Sequence, residues 1–331
     1  GVRADHTPQV ARIDAHLLNR EGIARLCYCG SVLHTLPAGM TTTREPIQLG
    51  AELYGHAGLE ADLEVVRLMS RALAAAGVTG VLLDIGHPSI YRALTAGANL
   101  PADEAESLFP AVQQKDAPAV LGMHDLLGGQ RADAIAALTR LSGGAGVLEE
   151  ARKALPRNPD IAQALDELSR LAKEAAAPGL EVSFDLAELG GFNYESGVVF
   201  AAFSGASPDA LARGGRYDEV GRSFGRARPA TGFTMDLRRI AAIVGPTPRA
   251  AGILAPCVAD PALDEEVARL RAAGSRKLTL GAGGFPLEGW INVAGGAGRH
   301  YDAPEDPRVI RLDVFEALAA LPDAPMDFVA S

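Results

Sequence analysis

The sequence is poor in cysteine, in positive charge and in long apolar runs, and each shortage excludes a class of protein. Three cysteines among 331 residues are too few for a disulfide framework, and their spacing is not that of a zinc site. A net charge of −10 argues against a nucleic-acid partner held by a basic surface. Neither a membrane-spanning run nor a charged-then-apolar leader is present, so we expect a cytoplasmic protein with no membrane partner.

The side chains that commonly bind metals are not arranged for that chemistry. The seven histidines are scattered without metal-ligand spacing, so we expect no metal and no cofactor. Cys27 and Cys29 lie two residues apart in an apolar run and would share one face of a strand, where small buried side chains are their expected role. Apolar residues make up 48% of the chain, enough for packed cores in about two domains.

One segment alternates polar and apolar positions in the manner of a strand. In Arg44–Gly55, the positions Gln48, Gly50, Glu52 and Tyr54 face one side, and the apolar positions between them face the core. A polar face with a glycine in its middle is the shape expected where a ligand lies on a sheet. A solvated sheet face without a ligand is the alternative interpretation.

The rest of the first 250 residues predicts a sheet that is interrupted by helices. A helix over 60–76 and a strand over 78–85 come before an alanine- and leucine-rich region at about 100–178, which we interpret as a helical insertion. Strand patterns resume after the insertion, at 180–186, 197–203 and 230–235. A further helix is predicted to begin at Asp236.

The last quarter of the chain predicts a separate, acidic unit. Its predicted elements are a strand, a helix and a second strand, at 253–257, 262–273 and 277–280. Residues 251–331 contain twelve acidic and seven basic residues, a balance that suits an RNA surface poorly. We therefore predict one domain over 1–248 and a small α/β domain over 249–331.

Five blocks of sequence keep the order and spacing of one protein family. They are Arg3–Gln9, Arg25–His34, Arg44–Gly55, Leu211–Asp218 and Gly232–Ile240. Together they resemble the catalytic domain of class II histidyl-tRNA synthetases, and the last block is similar to class II motif 3. Within that resemblance, the phrases TPQVAR, CYCGSVLHTLPAG and TREPIQLGAELYGHAGLEAD are typical of the synthetase-like regulatory subunits of ATP phosphoribosyltransferase.

The resemblance covers residues 1 to about 245 and implies an α+β fold. The expected architecture is a class II aminoacyl-tRNA synthetase-like antiparallel sheet flanked by helices, with a helical insertion at about 100–178 and a small α/β C-terminal remnant. The resemblance also implies self-association as in class II dimers. Because the sequence begins inside the first block, we expect the motif 1 region of the family to lie outside it.

At the positions where the synthetases hold ATP, this sequence departs from the family. The resemblance places Leu33 and His34 on the motif 2 Phe-Arg pair, and Gly190 on a second catalytic arginine. Arg239, at the motif 3 arginine position, is retained. Because a fixed guanidinium stabilises the charge that develops on the α-phosphate, we expect no catalytic residues and no aminoacylation.

The amino-acid side of the synthetase site is retained better. The positions that match or adjoin the family's histidine-binding residues form a predicted histidine-like ligand pocket of Asp5, Thr7, Gln48, Glu52, Tyr194 and Arg216. The two carboxylates would pair with an ammonium or imidazolium group, and Gln48 and Thr7 would orient the ligand by hydrogen bonds. The alternative is an inherited network whose polar groups satisfy one another without a ligand.

The resemblance implies a non-catalytic regulatory subunit of ATP phosphoribosyltransferase. Such a subunit assembles with the short-form catalytic subunit in a hetero-oligomer, is required for the first step of histidine biosynthesis, and contributes to feedback inhibition by histidine. Two alternatives stay open, a divergent histidine–tRNA ligase and a stand-alone amino-acid-binding sensor. It also stays open whether histidine, as the effector, binds the synthetase-like pocket or the subunit interface.

Overall fold

A computed structural model shows two units in the chain, with boundaries after Val244 and after Ala319. One unit comprises Gly1–Val244 with Ala320–Ser331, and the other comprises Gly245–Ala319. The structure describes residues 2–36, 43–98, 100–177, 179–190 and 194–245, and four short segments at 253–254, 261–272, 277–278 and 327–328. None of the described helices is long and apolar enough to cross a membrane.

Strands and helices alternate along the described chain. The strands are β1 (Ala24–Ser31), β2 (Ile47–Tyr54), β3 (Val81–Gly86), β4 (Ser142–Gly143), β5 (Leu180–Asp185), β6 (Val199–Ser204), β7 (Ser207–Arg216), β8 (Ala230–Asp236), β9 (Ile253–Leu254), β10 (Lys277–Leu278) and β11 (Asp327–Phe328). The helices are α1 (Thr7–Ile13), α2 (Leu59–Ala75), α3 (Pro88–Thr95), α4 (Ala102–Gln113), α5 (Ala117–Gly122), α6 (His124–Leu127), α7 (Gly129–Leu138), α8 (Gly146–Ala154), α9 (Pro159–Ala175), α10 (Leu237–Val244) and α11 (Pro261–Ala272). A π-helical turn over Asp14–Leu18 continues α1, and a 3₁₀ turn over Val220–Phe224 precedes β8.

The first unit is built on one mixed sheet with the strand order β11-β1-β2-β8-β7-β6-β3-β5-β4. Neighbouring strands are antiparallel except for the pairs β1–β11 and β3–β5, which are parallel. The parallel pair β3–β5 brackets the helical insertion, since a parallel connection needs a long crossover. The predicted antiparallel sheet flanked by helices is therefore confirmed.

Strand β2 is buried on both of its faces. Leu49, Ala51 and Leu53 are buried, as their apolar face predicts. The polar face is covered as well, because Glu52 and Tyr54 are each only 2% exposed. The alternative interpretation, a solvated face, is therefore wrong for this strand, because Tyr54 packs in a buried cluster with Val10 and Ala11 of α1 and with Tyr28 and Tyr217.

The predicted insertion is mainly helical, with the two-residue strand β4 as its one described strand. It contains α4 to α9, and α9 packs on α2 and α3. Within it α7 and α9 bury apolar side chains at helical spacing, and α8 starts at Gly146, at the end of a glycine-rich stretch. Helix α2 ends just before Gly77, whose φ of +88° breaks the helix as predicted.

The second unit is described by three short elements. Strands β9 and β10 pair in parallel on either side of α11, so the predicted βαβ element is present there.

Cys257 lies outside the described residues, whereas Cys27 is buried and Cys29 half-buried on β1. Burial raises the pKa of both thiols, that of Cys27 to about 11, so neither is a reactive thiolate at neutral pH.

Candidate functional site

A cavity of about 1050 Å³ lies against strands β2, β7 and β8. Two glycines in its wall, Gly215 and Gly232, pair across β7 and β8, and Gly232 in turn pairs with Glu52 on β2. A side chain at Gly232 would collide with the Glu52 carboxylate, and a Cβ at Gly215 would lie 2.9 Å from Glu195 Oε1. The glycines therefore leave room for two carboxyl groups in the cavity wall.

Glu52 lies at the centre of a buried hydroxyl network. Thr7 Oγ1 donates to Glu52 Oε1 over 2.9 Å, and Tyr28 OH donates to the same oxygen over 3.1 Å. Tyr217 OH donates to Oε2. Burial raises the pKa of Glu52 to about 7, although the three hydroxyl donors lower it and the charge of Asp5 raises it. Each Glu52 oxygen therefore already has a partner within the protein.

Gln48 is held by the histidine that precedes α1. The ring of His6 stacks on Tyr28 with centroids 5.0 Å apart, and its Nδ1 lies 3.0 Å from Gln48 Oε1, which also accepts the His6 backbone N–H over 3.1 Å. Arg3 Nη1 lies 3.1 Å from His6 Nε2, so Nδ1 is the nitrogen that carries the proton. The Gln48 oxygen is thus occupied, and its amide nitrogen is the group left to face a ligand.

Asp5, Thr7 and Tyr194 also line the cavity. Asp5 is half-buried, and its Oδ1 accepts the Thr7 backbone N–H over 3.4 Å. The Tyr194 side chain is 54% exposed. Together with Gln48 and Glu52, five of the six residues predicted for the ligand pocket therefore surround one cavity. In the part of the chain that the structure describes, no group of acidic, histidine or cysteine residues could hold a metal ion.

Arg239, the retained motif 3 position, lines the same cavity and is engaged by the protein itself. Its Nη1 donates to the Ala210 carbonyl over 2.6 Å, and its Nη2 lies 3.4 Å from the Asp209 carboxylate. The same cavity is lined by His34, whose backbone N–H donates to the Arg44 carbonyl over 2.8 Å. An imidazole therefore stands where the resemblance would place a catalytic guanidinium.

Comparison with known proteins identifies the family. The histidyl-tRNA synthetase family profile matches residues 1–240. A curated protein from Ralstonia nicotianae, named ATP phosphoribosyltransferase regulatory subunit, is 56% identical over 274 residues, which is 83% of this chain and 70% of the relative. The chain belongs to the ATP phosphoribosyltransferase regulatory subunit family. A second member of this regulatory subunit family, from Azoarcus, is 52% identical over 89% of this chain and 76% of its own length.

Solved structures show the fold that the regulatory subunit family shares with the synthetases. A structure titled ATP phosphoribosyltransferase regulatory subunit/histidyl-tRNA synthetase, from Bacillus halodurans, is 29% identical with a TM-score of 0.70, covering 84% of this chain and 73% of its own. A histidyl-tRNA synthetase from Nostoc, at 18% identity, has a TM-score of 0.68 and covers 86% of this chain and 71% of its own. The class II synthetase-like α+β fold predicted from the sequence is therefore confirmed.

For this member of the regulatory subunit family, the placement of Arg216 in the ligand pocket is wrong. Its register partner is Thr231, which pairs with Leu53, so its side chain leaves the sheet on the face opposite Glu52. There Arg216 Nη2 lies 2.8 Å from the Asp62 carboxylate of α2, with both side chains buried. Arg216 is a structural ion-pair residue that ties β7 to α2.

Gly190, the other position predicted to have lost an arginine, lies outside the cavity lining. Its backbone N–H donates to Glu188 Oε1 over 2.7 Å, and a Cβ there would lie 2.6 Å from that oxygen. The Glu188 side chain therefore closes the turn that leads to Gly190. In this member of the regulatory subunit family, Glu188 therefore binds the backbone N–H of Gly190, and position 190 supplies no arginine.

Four residues of the site escaped the sequence reasoning: His6, Tyr28, Glu195 and Tyr217. Three of them stood in the matching blocks, but strand alternation placed only Gln48 and Glu52 on a common face. Tyr28 fills the space above Gly50 that the sequence had suggested for a ligand. The signal that would have found it is the pairing of Tyr28 with Gly50 across β1 and β2, since a large ring opposite a glycine commonly packs over it.

Proposed function

We propose that this chain is the regulatory subunit of an ATP phosphoribosyltransferase. It would act with a short-form catalytic subunit in a cytoplasmic hetero-oligomer, in the first step of histidine biosynthesis, and it would carry no catalytic residue itself. The observation that supports this most strongly is 56% identity over 83% of the chain to a relative bearing that name. We also propose that copies of the chain self-associate as class II synthetases do.

The proposal that aminoacylation is lost rests on the positions where the resemblance expects catalytic arginines. Adenylation needs positive groups fixed at the α-phosphate, where they stabilise developing charge. His34 and Gly190 supply no guanidinium, and the guanidinium of Arg239 already serves Ala210 and Asp209. These residues support a protein that keeps the synthetase fold without its phosphate chemistry.

Histidine is the effector that the cavity suits best. Asp5, Glu52 and the amide nitrogen of Gln48 provide acceptors and a donor at one end of a space larger than a single amino acid needs. Histidine regulates the enzyme only if it binds one quaternary state more tightly than another, because equal binding to both shifts nothing. The cavity would therefore be remodelled, or differently accessible, when the catalytic subunit docks.

The experiment is a phosphoribosyltransferase assay of the short-form catalytic subunit, with and without this chain, across a histidine titration. We expect activity to rise on mixing and to fall as histidine increases. Gln48→Leu should weaken inhibition while leaving activation in place, whereas Gln113→Leu, on the exposed side of α4, serves as the matched control and should change neither. Absence of activation would contradict the proposed function.

Two further measurements address the alternatives. Histidine-dependent ATP–pyrophosphate exchange by this chain alone would establish a histidine–tRNA ligase and overturn the claim of lost catalysis. Histidine binding without activation of the catalytic subunit, and without co-purification, would favour the stand-alone sensor. Inhibition that survives in Gln48→Leu would place the effector at the subunit interface instead of in this cavity.

A further inference from the structure

Glu195 is a buried carboxyl group in the cavity wall that the described protein leaves partly unsatisfied. It is 8% exposed, it lines the cavity, and it follows the loop that leads into β6. Its Oε2 is buried and has no hydrogen-bond partner among the residues that the structure describes. Buried carboxyl oxygens are normally paired, so an orphan oxygen in a binding cavity indicates a ligand group that is still to come.

Two hydrogen bonds fix the backbone around Glu195, so its side chain starts from a defined position in the cavity wall. Arg92 Nη2 donates to the Glu195 carbonyl over 2.8 Å, and the next backbone N–H, that of Ser196, donates to the Arg216 carbonyl over 2.7 Å. Gly215 lies beneath the carboxyl group and provides the space that it fills. The cavity wall is thus preorganised to present this group.

Glu52 and Asp5, two further acidic residues of the cavity, are less suited than Glu195 to meet a ligand cation. Both oxygens of Glu52 already accept from Thr7, Tyr28 and Tyr217, so a ligand would have to displace a hydroxyl. Asp5 is only partly buried, so water screens a charge pair there. Glu195 is the acidic group for which a ligand would supply a missing partner.

We propose that Glu195 binds the imidazole ring of histidine in this cavity and shares one proton with it. This inference rests on the proposed function and adds to it the residue that selects the ligand side chain. When imidazole binds, the proton sits between carboxyl and ring nitrogen, and the pair stays electrically neutral whichever partner holds it. A neutral pair suits the buried wall, where a lone carboxylate is disfavoured.

The charged groups around Glu195 fit a shared proton. Burial, together with the charge of Glu188, raises the pKa of Glu195 to about 8, and Arg213 lowers it. Arg92 touches its backbone, and the exposed Tyr194 is its chain neighbour. Free imidazole has a pKa of about 6.5. At a pH between these two pKa values, Glu195 is protonated in the empty protein and the imidazole ring of free histidine is neutral. The carboxyl group therefore brings the proton that the pair shares.

The test is calorimetric titration of histidine into the full chain and into Glu195→Gln between pH 6 and pH 9. Glu181→Gln, an exposed carboxyl on β5, is the matched control. At pH 7 we expect Glu195→Gln to bind about ten- to a hundredfold more weakly, the usual effect of losing a hydrogen bond to a charged group. The ratio of the two affinities at each pH cancels the ionisations of histidine itself. The factor by which the parent binds histidine more tightly than Glu195→Gln should shrink as the pH rises through about 8.

The outcomes separate the inference from the proposed function. Histidine binding to the parent chain with unchanged affinity in Glu195→Gln would overturn the role of Glu195 and leave the effector pocket intact. If Glu195→Gln binds histidine more weakly than the parent by a factor that does not change with pH, Glu195 forms a hydrogen bond without sharing a proton. That result would also overturn the inference. No binding to the parent chain would contradict both. The ring isostere β-(2-thienyl)alanine cannot share a proton through its ring. When it replaces histidine, a larger loss of affinity in the parent than in Glu195→Gln would support the inference.

Discussion

Replacing Glu195 by glutamine should change how the stability of the protein depends on pH. In the unfolded chain the carboxyl group has its ordinary pKa of about 4.5, and in the folded protein burial raises that pKa to about 8. Between these values the folded state binds more protons than the unfolded state, so stability falls as the pH rises. Glutamine has nothing to titrate, and the variant should lack this part of the slope.

The size of the effect follows from the two pKa values. At pH 5 the unfolded group is already about three-quarters ionised while the folded group is protonated, and at pH 8 the unfolded group is fully ionised while the folded group is about half ionised. At about 1.4 kcal/mol for each unit of pKa difference, the free energy of unfolding contributed by Glu195 falls by about 3 kcal/mol between pH 5 and pH 8. The buried amide of the variant has its own desolvation cost, but that cost does not depend on pH.

Urea unfolding at pH 5 and pH 8, followed by circular dichroism, measures the effect. The difference in unfolding free energy between Glu195→Gln and the parent should shift by about 3 kcal/mol in favour of the variant on going to pH 8. Glu52 also titrates in this window, but it is present in both proteins and cancels. Glu181→Gln, which is exposed, should show no such shift. A difference that is the same at both pH values would refute the reasoning.

Three further predictions concern the packing beneath the cavity, each measured as a free energy of unfolding. Arg216→Ala should destabilise by about 3–5 kcal/mol, because it strands the buried carboxylate of Asp62. Gly232→Ala should destabilise by about 1–3 kcal/mol or more, since the new methyl group meets the Glu52 carboxylate. Tyr217→Phe should destabilise by about 1–3 kcal/mol through loss of the donor to Glu52.

Each of these variants has a matched control on the surface. Arg213 is 62% exposed at its side chain, Tyr194 is 54% exposed, and a Cβ at Gly205 would meet nothing within 4 Å. Arg213→Ala, Tyr194→Phe and Gly205→Ala should each change stability by less than about 0.5 kcal/mol. Equal losses in a variant and its control would argue that the named buried contact is not the cause.

The local pattern of the sequence was enough to predict most elements of the first unit. Apolar spacing placed α2 and α9, and alternation placed β2, because both signals depend on which side of one element meets the core. The strand β7 was not recognised, although the block Leu211–Asp218, which overlaps its end, was singled out. Its run through Gly214 and Gly215 lacks the β-branched side chains that mark strands, because a Cβ at Gly214 would meet the Gly232 carbonyl of β8 and a Cβ at Gly215 would meet Glu195.

The cavity could be predicted only as far as residues share a strand face. Gln48 and Glu52 followed from period-two alternation, whereas the error at Arg216 came from reading a block without its strand register. The neighbouring Tyr217 enters the site and Arg216 leaves on the opposite face, a difference of one residue. Glu195 could not be anticipated, because its burial depends on contacts from α3 and β7 that lie far away in the sequence.

The position of β2 in the sheet has a consequence for the order in which the protein is made. Strand β2 ends at Tyr54, yet its neighbour β8 begins at Ala230, with the whole helical insertion translated between them. An emerging chain therefore exposes the unpaired edge of β2, with Gln48 and Glu52, until β8 leaves the ribosome. Such distant pairing slows folding and leaves an open edge for wrong partners. The cavity, whose wall is shared by these two strands, becomes one of the last features of the first unit to form.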